Sequence, residues 1–361
     1  MGNRSLRVRL VTAALAAACV SSLAVGTSSA AEKPSPLSWK VTQTGQETRY
    51  RGISAVSASV AWAGGYDGTV LRTTDGGLTW DNVSPADAVA AALQFRDIEA
   101  WSARDAVAMS AGPGEESRIY RTSDGGATWA EVYRNTAPAG FYDCMAFTDR
   151  RHGVVVSDPV DGQLTFARTS DGGRTWTPYQ VASPAPLAGE YYFAASGTCL
   201  ADGVGQRLYL GSGGSDTARV LSSGDGGRTW AAVSTPLAAG EAAGIFSVGF
   251  RTAQRGIIVG GDFLQPDAAA DNAAYTTDGG LTWHEPTSNP AGYRSAVGYA
   301  GPSRSVAVAI GPSGSDYSTD GGRSWHAFSA EALDSLDCTA SGVCWAGGWG
   351  VIARLTGGMR D

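Results

Sequence analysis

Histidine, methionine and cysteine are scarce in this chain of 361 residues, which holds three, four and five of them. The histidines are His152, His284 and His326, and the last two directly follow tryptophans of a repeated motif described below. That leaves neither a His-rich metal centre nor a Ser-His-Asp triad. No Cys-x-x-Cys pair occurs, so neither a zinc ribbon nor a thioredoxin-type redox site is encoded. Charge is sparse, at 17% of residues, and acids outnumber bases by 34 to 27. An acidic balance without a basic stripe argues against nucleic-acid binding. The longest apolar stretch, Leu10 to Val25, has 16 residues, short of a membrane-spanning helix. Gly112-Pro-Gly114 and Gly211-Ser-Gly-Gly214 open loops rather than strand-to-helix turns, so no dinucleotide fingerprint is present and no cofactor is expected.

The N-terminus reads as a secretory signal. Arg4, Arg7 and Arg9 precede the apolar stretch, and Ser28-Ser29-Ala30-Ala31 supplies the small side chains of a cleavage site. Cys19 follows three alanines, which is a poor lipobox. We therefore expect residues 1–31 to be a cleaved signal, residues 32–361 to form the mature domain, and the protein to be extracytoplasmic. Cleavage would leave 24 basic and 34 acidic side chains, a formal charge of −10. Export permits disulfides among Cys144, Cys199, Cys338 and Cys344. Cys338 and Cys344 flank a hairpin turn and are expected to pair. Cys144 and Cys199 either pair or remain buried thiols.

What the chain has in abundance is glycine, 49 residues, and tryptophan, 11 residues, in short apolar runs separated by turns. This is an all-β pattern. One motif occurs six times, first as Thr73-Thr-Asp75-Gly-Gly77-Leu-Thr79-Trp80, and its aspartates are Asp75, Asp124, Asp171, Asp225, Asp278 and Asp320. The intervals of 49, 47, 54, 53 and 42 residues match one four-stranded propeller blade. The chemistry explains the spacing. The carboxylate accepts backbone N–H groups inside a tight turn, glycines supply positive φ, and the tryptophan fills the space between blades. These six aspartates are therefore expected to be structural.

A seventh blade is split between the chain ends. Cys344-Trp-Ala-Gly-Gly-Trp-Gly-Val-Ile-Ala-Arg-Leu355 parallels Ala61 to Arg72 of the first blade, but no box follows it. Leu37-Ser-Trp39-Lys-Val41 resembles the strand that follows a box. The sequence thus predicts an all-β, seven-bladed propeller whose last blade is closed by the N-terminal strand. Its blades fall near 50–83, 96–132, 142–179, 196–233, 246–285 and 294–328, then 336–355 with 37–41.

The boxes resemble those of the Asp-box (BNR-type) propellers, which include sialidases and the photosystem II stability and assembly factor. Secreted bacterial relatives of that factor are more similar still. The resemblance rests on Tyr50-Arg-Gly-Ile53, Phe95-Arg-Asp-Ile-Glu-Ala100, Ser157-Asp-Pro-Val-Asp-Gly162, Phe193-Ala-Ala-Ser-Gly-Thr198, Gly244-Ile-Phe-Ser247, Val259-Gly-Gly-Asp262 and Gly292-Tyr-Arg-Ser295. It implies a binding or assembly role. Members of that group also carry the label oxidoreductase, for which this chain offers no cofactor motif. The sialidase Phe-Arg-Ile-Pro motif has no counterpart here.

Strand order places the boxes on one face of the disc and the functional loops on the other. Arg51, Arg96 and Arg294, each preceded by an aromatic residue, enter the innermost strands of blades one, two and six. With Tyr142, Tyr293 and Glu190 they form the candidate ligand-binding set. Guanidinium forks there would hold a carboxylate or phosphate; alternatively, each arginine pairs with a neighbouring acid. Asp143 and Asp337 occupy comparable places in blades three and seven. Asp143, Asp158, Asp161 and Asp262 are the candidate catalytic acids if the protein is a glycoside hydrolase; otherwise they cap turns. The leading expectation is a secreted, monomeric binding module for an acidic ligand, glycan or protein segment. A sialidase-like hydrolase and an oxidoreductase are the alternatives.

Overall fold

The computed structural model describes residues 37–301 and 305–357. The expected signal segment lies outside the described residues, as do the last residues of the chain. Twenty-seven strands form seven antiparallel sheets in chain order. The innermost strands are Tyr50–Ala55, Gln94–Ala100, Tyr142–Phe147, Leu200–Asp202, Ala243–Phe250, Ala296–Ala300 and Leu333–Cys338. Six sheets have four strands and blade five has three. In blade five the fourth strand shrinks to a bridge between Tyr275 and His284, and Pro286, which has no N–H to donate, stands two residues further on. Among the described residues no helix is long and apolar enough to cross a membrane.

The closure by the N-terminal strand is as expected. Leu37–Gln43 pairs in full register with Val351–Gly357, from Leu37 opposite Gly357 to Gln43 opposite Val351. It becomes the outer strand of blade seven. Trp39 donates Nε1–H to Ser315 Oγ at 3.0 Å and packs on Phe328, which ties this strand to blade six. The sheet therefore has no gap at the point where the chain begins and ends its ring.

Each Asp box works as its composition requires. In the first, Asp75 Oδ1 accepts the Leu78 and Thr79 N–H groups at 3.0 Å each, and Oδ2 accepts the Thr79 hydroxyl at 2.7 Å. Thr73 Oγ1 donates to Asp75 and accepts the Gly77 N–H at 3.0 Å. Gly76 and Gly77 both have φ of 79°, a region that side chains disfavour. The box tryptophans then fill the seams between sheets: Trp80 packs edge-on against Trp345, Trp129 against Trp62, and Trp230 stacks on Phe166. The four cysteines among the described residues are all bridged. Cys338–Cys344 closes its hairpin, and Cys144–Cys199 joins blade three to the entry of blade four.

Candidate functional site

The innermost strands do more than line a channel. In five of the seven blades the pairing of the first two strands slips by one residue near the mouth opposite the Asp boxes. A bulge of this kind leaves one residue unpaired and re-aims its side chain. The residues skipped are Arg51, Arg96, Asp143, Phe246 and Asp334. All five line one cavity of about 580 Å³ at that mouth. Blades four and six have no such slip; the chain ahead of their innermost strands supplies Tyr191 to Ala195 and Tyr293 instead.

One side of the cavity is cationic. Arg51 donates Nη1–H to the Ala195 carbonyl at 3.2 Å. Arg96 donates to the Ala194 carbonyl at 2.9 Å and to Gln94 Oε1 at 2.6 Å, and its guanidinium lies 5.4 Å from the Tyr66 ring centroid. The Nε atoms of both arginines are buried and unpartnered, and neither has an ion-pair acid among the described residues. Burial lowers the pKa of Arg96, and the charges of Arg51 and Arg49 add to this, although Tyr66 and Asp143 oppose it. Arg49, which the sequence reading passed over, also lines the cavity but is neutralised by Asp334 through two bonds of 2.8 and 2.6 Å.

A second wall is aromatic. Phe193 stacks on Phe246 at 3.6 Å between centroids, and Tyr293 meets Phe246 edge-on at 4.7 Å. Phe263 caps the pair and is 44% exposed, an unusual position for a large ring beside a cavity. A third region is acidic. Asp143 is 1% exposed, and its Oδ2 has no hydrogen-bond partner. Burial, with the nearby Asp158 charge, pushes its pKa well above the ordinary range. Asp158 accepts the Tyr192 N–H at 2.9 Å, and burial raises its pKa to about 6.

Other candidates go elsewhere. Arg294 is 1% exposed and is held by Asp316, with a 2.6 Å bond from Nε, and by Ser313. It does not line the cavity, because the innermost strand of blade six begins at Ala296 with no slip to re-aim residue 294. Tyr142 is buried against Tyr133 between blades. Glu190 is buried against Arg219 and Ser212 and pins the long loop into blade four. Asp161 sits at φ 52° in an exposed hairpin turn. Asp262 caps its own loop, accepting from Leu264 N–H and Gln265. In blade seven it is Asp334, not Asp337, that holds the place of Asp143. Asp337 lies towards the opposite mouth, where it accepts the Ala55 N–H at 2.7 Å. That mouth also contains Asp97 and Glu99, whose pKa values burial pushes up. Asp97 is committed to the Met145 N–H at 2.6 Å.

Sequence reasoning missed Arg49, Tyr66, Phe193, Phe246, Phe263 and Asp334. A usable signal existed. The residue after the buried Tyr50, Phe95, Tyr142, Ile245 and Leu333 interrupts the alternation of the strand and aligns from blade to blade. Reading that position across all blades would have collected the five bulge residues.

Comparison with known proteins agrees with the fold. The BNR/Asp-box repeat model matches residues 274–285 and 316–327, the fifth and sixth boxes. No curated protein matches the chain by sequence. The structure of YCF48 bound to a D1 peptide superposes with a TM-score of 0.58 at 16% identity, covering 89% of this chain and 97% of that one. YCF48 from Cyanidioschyzon merolae superposes with a TM-score of 0.61 at 17% identity, covering 88% and 98%. Likeness at this identity concerns the fold. The chain is thus a seven-bladed β-propeller of BNR/Asp-box repeats, built on the fold that the YCF48 structures share.

Proposed function

We propose that this propeller is a binding or assembly module that holds an acidic ligand or protein segment in the mouth cavity, with Arg51 and Arg96 as its anion-binding pair. One observation carries the reading. Near this mouth Arg49, Arg219 and Arg294 each have a carboxylate, whereas Arg51 and Arg96 line the cavity with buried, unpartnered Nε atoms. A half-buried guanidinium without an acid is stabilised by an anionic ligand through charge-assisted bonds. The aromatic wall beside it favours an apolar group on the same ligand. A solved structure of the same fold, YCF48 bound to a D1 peptide, supports a protein segment as the partner class. The two disulfides and the Arg-then-apolar N-terminus support export.

The test is affinity selection of an acidic-peptide library on the folded protein, followed by titration of the best peptide. Arg51→Ala with Arg96→Ala is expected to weaken that peptide at least about tenfold, given the strength of hydrogen bonds to charged groups, while the melting temperature stays within a few degrees. Equal affinity for parent and double variant would remove the site from the account.

A hydrolase reading has one specific observation in its favour. Asp143 and Asp158 share the cavity, and their raised pKa values would suit a general acid. Turnover of labelled glycosides that Asp158→Asn abolishes would favour that reading over binding.

A further inference from the structure

We propose that the Asp143–Asp158 end of the mouth cavity is a second subsite, which takes a protonated amine carried on an apolar group, so that the propeller accepts ligands bearing charge of both signs. The inference shares with the proposed function the premise that this cavity binds ligands, but it rests on different side chains. Asp143 is the bulge residue of blade three and lines the cavity, with one carboxyl oxygen buried and unpartnered. Tyr192, 2% exposed, lines the same cavity, and its hydroxyl is also buried without a partner. Two unsatisfied polar groups on one buried wall are unusual, because native interiors pair nearly all of theirs. Neither is consumed by the anion pole: Asp143 forms no ion pair with Arg96 among the described residues, although the two are close enough to perturb each other.

The chemistry of the wall selects the ligand. An ammonium donates up to three hydrogen bonds, which suits Asp143 Oδ2, the second acid Asp158 and the Tyr192 oxygen as acceptors. Phe141, Tyr191 and Phe193 close the same cavity with ring surface, and aromatic faces attract organic cations. A bare metal ion is a worse match, since no group of three acid, histidine or cysteine ligands is gathered anywhere among the described residues. The guanidinium groups of Arg51 and Arg96 repel a lone cation, so the amine enters best on a molecule whose other end is anionic. Burial raises the pKa of both acids and so favours their protonated forms, a cost that a bound ammonium offsets.

The experiment uses two small probes on the full disulfide-bonded chain at pH 7.5, read by ligand-observed NMR titration. The probe 2-phenylethylamine carries a ring and an amine; 3-phenylpropanoate carries a ring and a carboxylate. The amine is expected to bind the parent and to lose at least about tenfold in affinity in Asp143→Asn and again in Asp158→Asn. It is expected to bind Arg51→Ala with Arg96→Ala as well as or better than the parent. The propanoate should show the reverse dependence. If Asp143→Asn does not fold, Asp158→Asn decides alone. Amine affinity that is undetectable in the parent, or unchanged in the Asn variants, overturns the subsite. Propanoate that fails to bind while the amine behaves as expected overturns the anion pole and leaves this inference standing.

Discussion

At the scale of single residues, the same side-chain type has opposite electrostatic fates on the two faces of the disc. In the Asp boxes the carboxylates accept several short bonds while exposed. The Thr79 backbone N–H leads at Asp75, and the hydroxyls of Thr128 and Thr282 lead at Asp124 and Asp278; each carboxyl is drawn down to about 2. A depressed folded-state pKa gives stability that is present above the unfolded value of about 3.8 and lost as pH falls towards 2. At the mouth, burial raises Asp158 to about 6. Its contribution has the other sign: it is full below about pH 4 and lost as pH rises through 6. Acid denaturation should therefore steepen between pH 4 and 2, and Asp158→Asn should gain stability relative to the parent between pH 4 and 7. Melting temperatures between pH 2 and 7 check both; a parent and variant that track in parallel from pH 4 to 7 would contradict the assignment of Asp158. Arg294 and Asp316 form a nearly inaccessible ion pair. Removing one partner strands a buried charge, so Asp316→Ala is expected to cost about 3–5 kcal/mol in urea unfolding. The sequence could not separate Arg294 from Arg51 and Arg96, since all three follow an aromatic residue; what differs is whether the strand slips beneath them.

At the scale of elements, the sequence was most informative where chemistry repeats. Six boxes with tryptophans at blade spacing, with the box-free repeat at Cys344 to Leu355, predicted seven sheets, and the structure starts or ends most of them within a few residues of the expected positions. The bulges were harder to see, because a one-residue slip leaves composition unchanged and alters only which face a side chain takes. The loop Leu187 to Ala195 was harder still: its path depends on Glu190 meeting Arg219 of a strand 29 residues later. Blade closure makes its own prediction. Truncation through Gln43 exposes the outer edge Val351–Gly357 and uncovers Leu355 and Phe328, so the protein should unfold at lower temperature and aggregate. Trp39→Ala keeps the strand but loses its ring contact and its bond to Ser315, and should cost somewhat less than the roughly 3–5 kcal/mol of a fully buried tryptophan. Light scattering and thermal unfolding read the two effects; an unaffected truncation would mean the ring does not depend on this seam.

At the scale of the whole molecule, the propeller separates stability from recognition. One face is a circle of hydrogen-bonded turns whose tryptophans wedge the sheets together, and their carboxylates are saturated by their own boxes. The other face receives one re-aimed side chain from each of five blades, plus the loops of two more, around a single cavity. Such an arrangement lets the mouth change chemistry without disturbing the seams, which is why repeated positions reported the fold and unrepeated ones carry the site. The account turns on Arg51 and Arg96 being the cations available to a ligand. The direct measurement is an NMR titration of the arginine Nε–H signals with the best acidic peptide. The account predicts that the Arg51 and Arg96 signals shift together and saturably while that of Arg294 stays fixed. Shifts confined to Arg174, Arg228 or Arg323 of the box turns, with the mouth pair unmoved, would contradict it.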